Sequence, residues 1–263
     1  MSPPARVLIV GGHDPSGAGL DADLIALRGL EVEGLTVVTA RTDQDASRVR
    51  SVGARDLESW VREARELSRG GIAAIKFGLL PGAAHVLAAR DLLRELRGIA
   101  GKELPAIVDP VIRASSGGTF LDAEAVETMG ELTREGVILT PNLSEAAELA
   151  GVMPEDLGES LEARRTAAQI LLDAGARAVI VKGGHGAEDP VRDLIVMREG
   201  KLKWLTRPRI AGGSIRGSGC RFASRLAARL ALGASLEAAA EEAGTFVAGE
   251  IARAASARRT AKS

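Results

Sequence analysis

The chain has 263 residues, 46% of them hydrophobic and 26% charged, which at about 150 residues per domain suits one large α/β domain or two small ones. Lys and Arg number 34 against 35 Asp and Glu, a net charge of -1, which argues against charge-driven binding to nucleic acid or to a membrane surface. Aromatic residues make up 2% with no Tyr, and one Cys stands beside three His; this leaves little for base stacking, allows no intramolecular disulfide and disfavours a dedicated zinc site.

In chain order, residues 1–6 are short and polar, and the apolar run 7–10 is too brief for a signal peptide. No run approaches the about 20 residues of a membrane span. A cytoplasmic protein is expected. Short runs rich in Val and Ile predict strands at 6–10, 35–40, 73–77, 106–108, 137–140 and 178–181. Amphipathic stretches between them predict helices at 20–30, 56–68, 83–96, 123–132, 143–150 and 161–174. Residues 193–197 and 201–206 flank Arg198-Glu199-Gly200 and read as an antiparallel hairpin. Helices at 218–232 and 236–254 follow, with residues 252–263 expected to fray. Such alternation means right-handed βαβ units around a mostly parallel sheet, here one domain over residues 1–263.

Open sheets of this kind bind ligands at the carboxyl ends of their strands. The residues to weigh are therefore 11–19, 41–45, Gly78, 109–118, Pro141-Asn142 and 183–186. Residues 11–19 form a glycine-rich loop without the G-K-[ST] of a Walker loop; Asp14 and Asp23 offer polar contacts, and an ordinary βα turn is an equal alternative. Gln44 follows the second strand, and its amide suits the edge of a heterocycle; a plain loop Gln is the default. His85 is expected on a surface helix, and His13 and His185 read as polar loop residues.

Asp109 ends one strand and Asn142 with Glu145 opens the helix after another, places where oxygens suit Mg²⁺. The alternative for the latter pair is a capping box. Lys182, one of few lysines, leaves a buried strand into a glycine turn, where it would either meet phosphates or reach past the rim to solvent. Gly217-Ser218-Gly219-Cys220 opens the penultimate helix. Free N–H groups there bind anions, and Arg216 and Arg221 beside Cys220 favour a thiolate; a tight turn with a small core Cys is the plain alternative.

Taken together, these segments resemble one family. Residues 12–23, Val38-Thr39-Ala40 with Thr42 and Gln44, Lys76-Phe77-Gly78-Leu79-Leu80, Asp109-Pro110-Val111, Thr140-Pro141-Asn142-Leu143 with Glu145, Val181-Lys182-Gly183-Gly184-His185 and Gly217-Ser218-Gly219-Cys220 occur in order over nearly the whole chain. They look like the segments of hydroxymethylpyrimidine and hydroxymethylpyrimidine phosphate kinases, ribokinase-like enzymes of thiamine biosynthesis. The resemblance implies a three-layer α/β/α sandwich and ATP- and Mg²⁺-dependent phosphorylation of a small pyrimidine. A homodimer that uses no nucleic acid or membrane is expected. It makes Cys220 the base, with Gly217, Ser218 and Gly219 as an anion hole. It assigns Ala18, Asp23, Gln44, Leu79 and Val111 to the substrate pocket, Asn142, Lys182 and Glu145 to ATP, and Asp109 and Glu145 to the metal.

The departures are as specific as the match. The first loop is one glycine shorter than usual, and Leu79 replaces a Met. Ser214-Ile215-Arg216 replaces Asn-Thr-His, Arg221 replaces a small polar residue, and Ser115 or Ser116 stands where a Lys is expected. A pyridoxal-type vitamin kinase of the same superfamily, and a ligand-binding homologue without catalysis, are the alternatives.

Overall fold

The computed structural model describes residues 3–260, apart from 45–48, 101–103, 115–117, 185 and 212, and for Gln44 the backbone alone. The strands are β1 (Ala5–Asp14), β2 (Ala18–Gly19), β3 (Val32–Gln44), β4 (Val49–Ala54), β5 (Ala74–Phe77), β6 (Ala106–Val108), β7 (Ile138–Leu139), β8 (Ala178–Val181), β9 (Val191–Met197) and β10 (Leu202–Arg207). The helices are α1 (Leu20–Leu27), α2 (Leu57–Ser68), α3 (Ala83–Ala100), α4 (Ala123–Thr133), α5 (Leu143–Ala150), α6 (Pro154–Glu159), α7 (Leu161–Asp173), α8 (Ser218–Ala231) and α9 (Leu236–Thr260).

One sheet runs β10-β9-β8-β7-β6-β5-β1-β3-β4, with β2 folded back on β1. From β3 through β1 and β5 to β8 every pairing is parallel. Antiparallel strands close both ends. Side chains alternate across each strand: Leu8 and Val10 of β1 face a core with Trp60, Leu93, Met129 and Ala167, whereas Val7 and Ile9 face one with Leu27, Phe222, Leu226 and Ala240. The sheet is thus covered by α2, α3, α4, α5 and α7 on one side and by α1, α8 and α9 on the other. This is the expected three-layer α/β/α sandwich.

Local signals set the helix starts. The side chains of Asp56, Asp122 and Ser160 accept from Ser59 N, Ala125 N and Ala163 N at 2.9, 2.8 and 3.1 Å, as N-caps do. Among the described residues no helix is long and apolar enough to cross a membrane.

The structure departs from the sequence expectations in several places. β1 and β3 continue through residues read as rim loops, so Gly11–Asp14 and Arg41–Gln44 are strand, and β2 pairs back onto β1 across a turn at residues 15–17. β4 was not expected; its side chains are half-buried or exposed, so it lacks the apolar run of an interior strand. The short α6 begins at Pro154, a residue favoured at a first helical position. α9 is helical to Thr260 rather than fraying from 252: Ala255 is buried and Arg258 donates to Ser214 O. His85 is buried rather than on the surface. Its Nε2–H donates to Arg55 O at 3.0 Å, its ring stacks on Trp60, and burial holds its pKa below the usual imidazole value. His185, Ser115 and Ser116 lie outside the described residues.

Candidate active site

The carboxyl ends of β1, β5 and β6, the start of α1 and the amino end of α8 enclose a cleft with about 610 Å³ of empty space, part of it open to solvent. Ala18, Asp23, Leu79, Val111, Gly217 and Cys220 all line it. Leu79, which follows β5, is fixed from β3 on the far side of β1, where Thr39 Oγ1 donates to Leu79 O at 2.5 Å.

Lys76 points from the middle of β5 toward the α1/α8 layer, because Ile75 and Phe77 take the opposite core. There its Nζ meets Asp23 Oδ1 and Oδ2 at 2.9 and 3.0 Å, with both side chains 1% exposed. Ser224 Oγ of α8 donates to Asp23 Oδ1 at 2.7 Å. Cys220 lies one helical turn before Ser224, on the same face. Burial raises the Asp23 carboxyl despite Lys76, and Asp23 holds Lys76 charged against its own desolvation.

A second pair lies on the α5 side. Lys182 leaves β8, its amide bonds Pro141 O, and its Nζ donates to Asp109 Oδ1 at 2.8 Å. Lys182 therefore stays in the rim instead of reaching solvent. Burial opposes its charge, but Asp109 and Glu145 together hold its pKa above the ordinary value. Asn142 and Glu145 form the capping box: Glu145 N bonds Asn142 Oδ1 at 3.0 Å and Asn142 N bonds Glu145 Oε2 at 2.8 Å. Burial pushes Glu145 up to about 8, with Asp109 adding to the push and Lys182 opposing it.

α8 starts between these pairs. Gly217 has φ +69°, and a Cβ there would stand 2.7 Å from Ala22 Cβ. A Cβ on Gly219 would stand 3.0 Å from Lys182 Nζ and 3.5 Å from both Asp109 oxygens. Glycine at 219 thus lets the helix N-terminus approach the Lys182–Asp109 pair. Gly217, Ser218, Gly219 and Cys220 present the first N–H groups of α8 at this point.

Two corrections follow for the sequence reading. Cys220 is not a standing thiolate: burial pushes the thiol up to about 12. Lys76 and Lys182 pull it down while Asp23 and Asp109 push it up, and desolvation, the largest cause, prevails. Arg216 does not stabilise it either, since its NH2 bonds Asp14 Oδ2 at 3.1 Å. The side chain of Gln44 lies outside the described residues.

The sequence reading did not single out Lys76 or Ser224 as site residues. Lys76 carried a signal: a lysine between Ile75 and Phe77 in a wholly apolar strand needs a buried partner. Ser224, four residues after Cys220, carried none until α1 was packed against it.

Lys76→Met would strand Asp23 and cost about 3–5 kcal/mol. An unpaired buried carboxyl binds its proton more tightly folded than unfolded, so the cost grows as pH rises and shrinks toward about pH 4. Urea unfolding at pH 5 and 8 measures this; equal costs at both would refute it. Alkylation of native Cys220 by iodoacetamide at pH 8 is expected to be at least about tenfold slower than in urea.

The residues 14–262 match the family model described as phosphomethylpyrimidine kinase. A hydroxymethylpyrimidine/phosphomethylpyrimidine kinase of Streptomyces coelicolor is 34% identical, over 95% of this chain and 90% of its own. One of Bacillus subtilis is 32% identical, over 94% and 89%. The solved structure of Staphylococcus aureus pyridoxal kinase in complex with AMP-PCP and pyridoxal superposes with TM-score 0.82 at 29% identity, covering 95% of this chain and 88% of that one. The match spans nearly the whole chain, and the chain belongs to the phosphomethylpyrimidine kinase family.

Proposed function

We propose that this chain transfers the γ-phosphoryl group of ATP to 4-amino-5-hydroxymethyl-2-methylpyrimidine or its monophosphate, a step of thiamine biosynthesis. The observation that carries this reading is the convergence on one cleft of Asp23, Cys220 and the α8 N-terminus, with the Lys182–Asp109 pair against Gly219 of that helix start. In this reading the protein works in the cytoplasm as a homodimer of one-domain subunits.

Ala18, Leu79 and Val111 flank the pyrimidine ring, and Asp23 and Gln44 bond its polar edge. Lys182 and the N–H groups of residues 217–220 take the transferred phosphoryl charge, since preorganised donors act where charge develops. Asn142 and Glu145 border the nucleotide, held rigid by their capping box. Cys220 accepts the proton of the hydroxymethyl group only from its thiolate form, which burial keeps scarce at neutral pH.

The donor set fits Mg²⁺, which is held by one or two carboxylates plus phosphate oxygens and water. Asp109 keeps Oδ2 outside its bond to Lys182, and Glu145 keeps Oε1 outside its bond to Asn142. Among the described residues no cluster of three or more His, Cys, Asp or Glu is placed as a metal cage. When bound, Mg²⁺ would offset the phosphate charge.

The similarity to a pyridoxal kinase supports a second reading, a pyridoxal-type vitamin kinase. ADP release with hydroxymethylpyrimidine, its monophosphate and pyridoxal separates the two. Turnover of a pyrimidine is expected; binding without turnover would leave a ligand-binding homologue. Gln44→Ala should weaken pyrimidine affinity by about tenfold or more, with ATP affinity little changed, because the ring edge loses its partner. Cys220→Ala should lose about 10²–10⁴-fold in turnover of the alcohol. With the thiol near 12, wild-type turnover of the alcohol should rise from pH 7 to 9 and that of the variant should stay flat.

A further inference from the structure

The turn that carries Lys182 is fixed by a buried carboxylate of the next strand. β8 pairs with β9 as far as Val181 opposite Leu194. Lys182 N turns to the other side and donates to Pro141 O at 2.8 Å. Gly183 N then donates to a side chain of β9, Asp193 Oδ1, at 2.9 Å. Gly183 is buried, and a Cβ there would overlap Arg192 O, so glycine lets the turn lie against β9. Asp193 itself is 1% exposed.

Asp193 stands in the apolar run of β9, on the face that carries Ile195 into the core under α1, α8 and α9. Lys182 leaves β8 on that same face, two residues after Ile180 of the same core. A carboxylate this deep needs a cation, because burying a lone charge is costly. Arg207 of β10 supplies it, and its Nη2 donates to Asp193 Oδ2 at 2.5 Å. The guanidinium lies where a Cβ on Gly244 of α9 would stand, so a glycine inside that helix makes the room. An ion pair and two glycines thus serve one backbone N–H, the first after Lys182. Water or a carbonyl would satisfy that N–H without burying two charges, so the arrangement answers to position rather than to stability.

We propose that Asp193 is a positioning residue for nucleotide binding: it fixes the Lys182–Gly183 peptide so that Lys182 Nζ is held ready for phosphate, and Arg207 neutralises it there. The proposal rests on the kinase reading above, in which Lys182 takes phosphoryl charge, and it adds two residues that touch no ligand. The ammonium of a lysine sits on a flexible four-carbon stem. Asp109 holds the tip of this one, and Pro141 O and Asp193 hold the backbone on either side of its root. Without the bond from Gly183 the peptide is free to rotate, and the stem must be ordered again each time a phosphate binds, which weakens binding.

The test compares two double variants that both remove the buried ion pair. Asp193→Asn with Arg207→Gln keeps an oxygen for Gly183 N. Asp193→Leu with Arg207→Leu leaves that N–H without an acceptor, although apolar replacement of a buried pair is often neutral or stabilising. Mg-ATP affinity, measured by titration calorimetry, should stay within about threefold of wild type in the first pair and fall about tenfold or more in the second. In a Lys182→Ala background the second pair should change it by less than about twofold, because the side chain it positions is gone. Pyrimidine affinity should move in neither. Equal losses from both pairs, a loss that persists without Lys182, or an unchanged affinity in the second pair would each overturn the proposal. If the second pair does not fold, Asp193→Ala takes its place, since Arg207, 20% exposed, can turn to water. A wild type that binds Mg-ATP but releases no ADP with any pyrimidine would end the kinase reading and leave the binding cycle to decide Asp193; one that binds no Mg-ATP would end both.

Discussion

The ion pair of Lys76 with Asp23 is the contact on which the site depends. It joins the centre of the sheet to α1, and Ser224 ties α8 to the same carboxylate. A buried pair of this kind adds little net stability, because desolvation offsets most of the attraction. Its effect is geometric. Neither group can leave the other without an exposed cost, so α1 and α8 are held in one register over the end of β5. The cleft is the space between them and the next strands.

The second pair, Lys182 with Asp109, repeats the device across the strand ends. β6 and β8 are not neighbours; β7 lies between them. A lysine long enough to span that distance closes the rim over β7 and leaves Glu145 close to both charges. Burial raises Glu145, Asp109 adds to the push, and the one cation that both carboxylates share only partly opposes it. Electrostatics here is set less by any single residue than by how few charges can be solvated at once.

The same accounting explains Cys220. Its helix position and nearby arginines suggest a thiolate, but those arginines turn elsewhere: Arg216 to Asp14, Arg221 to the carbonyl of residue 216. What remains around the thiol is two lysines against two aspartates in a desolvated place. Proximity in sequence is a poor guide to which charges a group feels when side chains are long enough to choose partners.

The βα alternation, the parallel core of the sheet and most helix spans were legible in the sequence, because continuous Val/Ile runs and amphipathic periodicity record burial directly. The glycine turns and polar residues around the strand ends likewise marked Asp23, Asp109, Val111, Asn142, Lys182 and Cys220, and the family resemblance added Leu79. β4 and the ordered end of α9 were not legible: an exposed edge strand and a tail fixed by Arg258 on Ser214 O leave no apolar pattern. Nor was the pairing of charges. Lys76 with Asp23, Lys182 with Asp109 and Arg216 with Asp14 join residues 53, 73 and 202 positions apart, and which cation meets which carboxylate is decided by the packing of layers. The sequence alone determined which groups reach the rim; only the tertiary structure decided which of them are neutralised, and so left Cys220 with its proton.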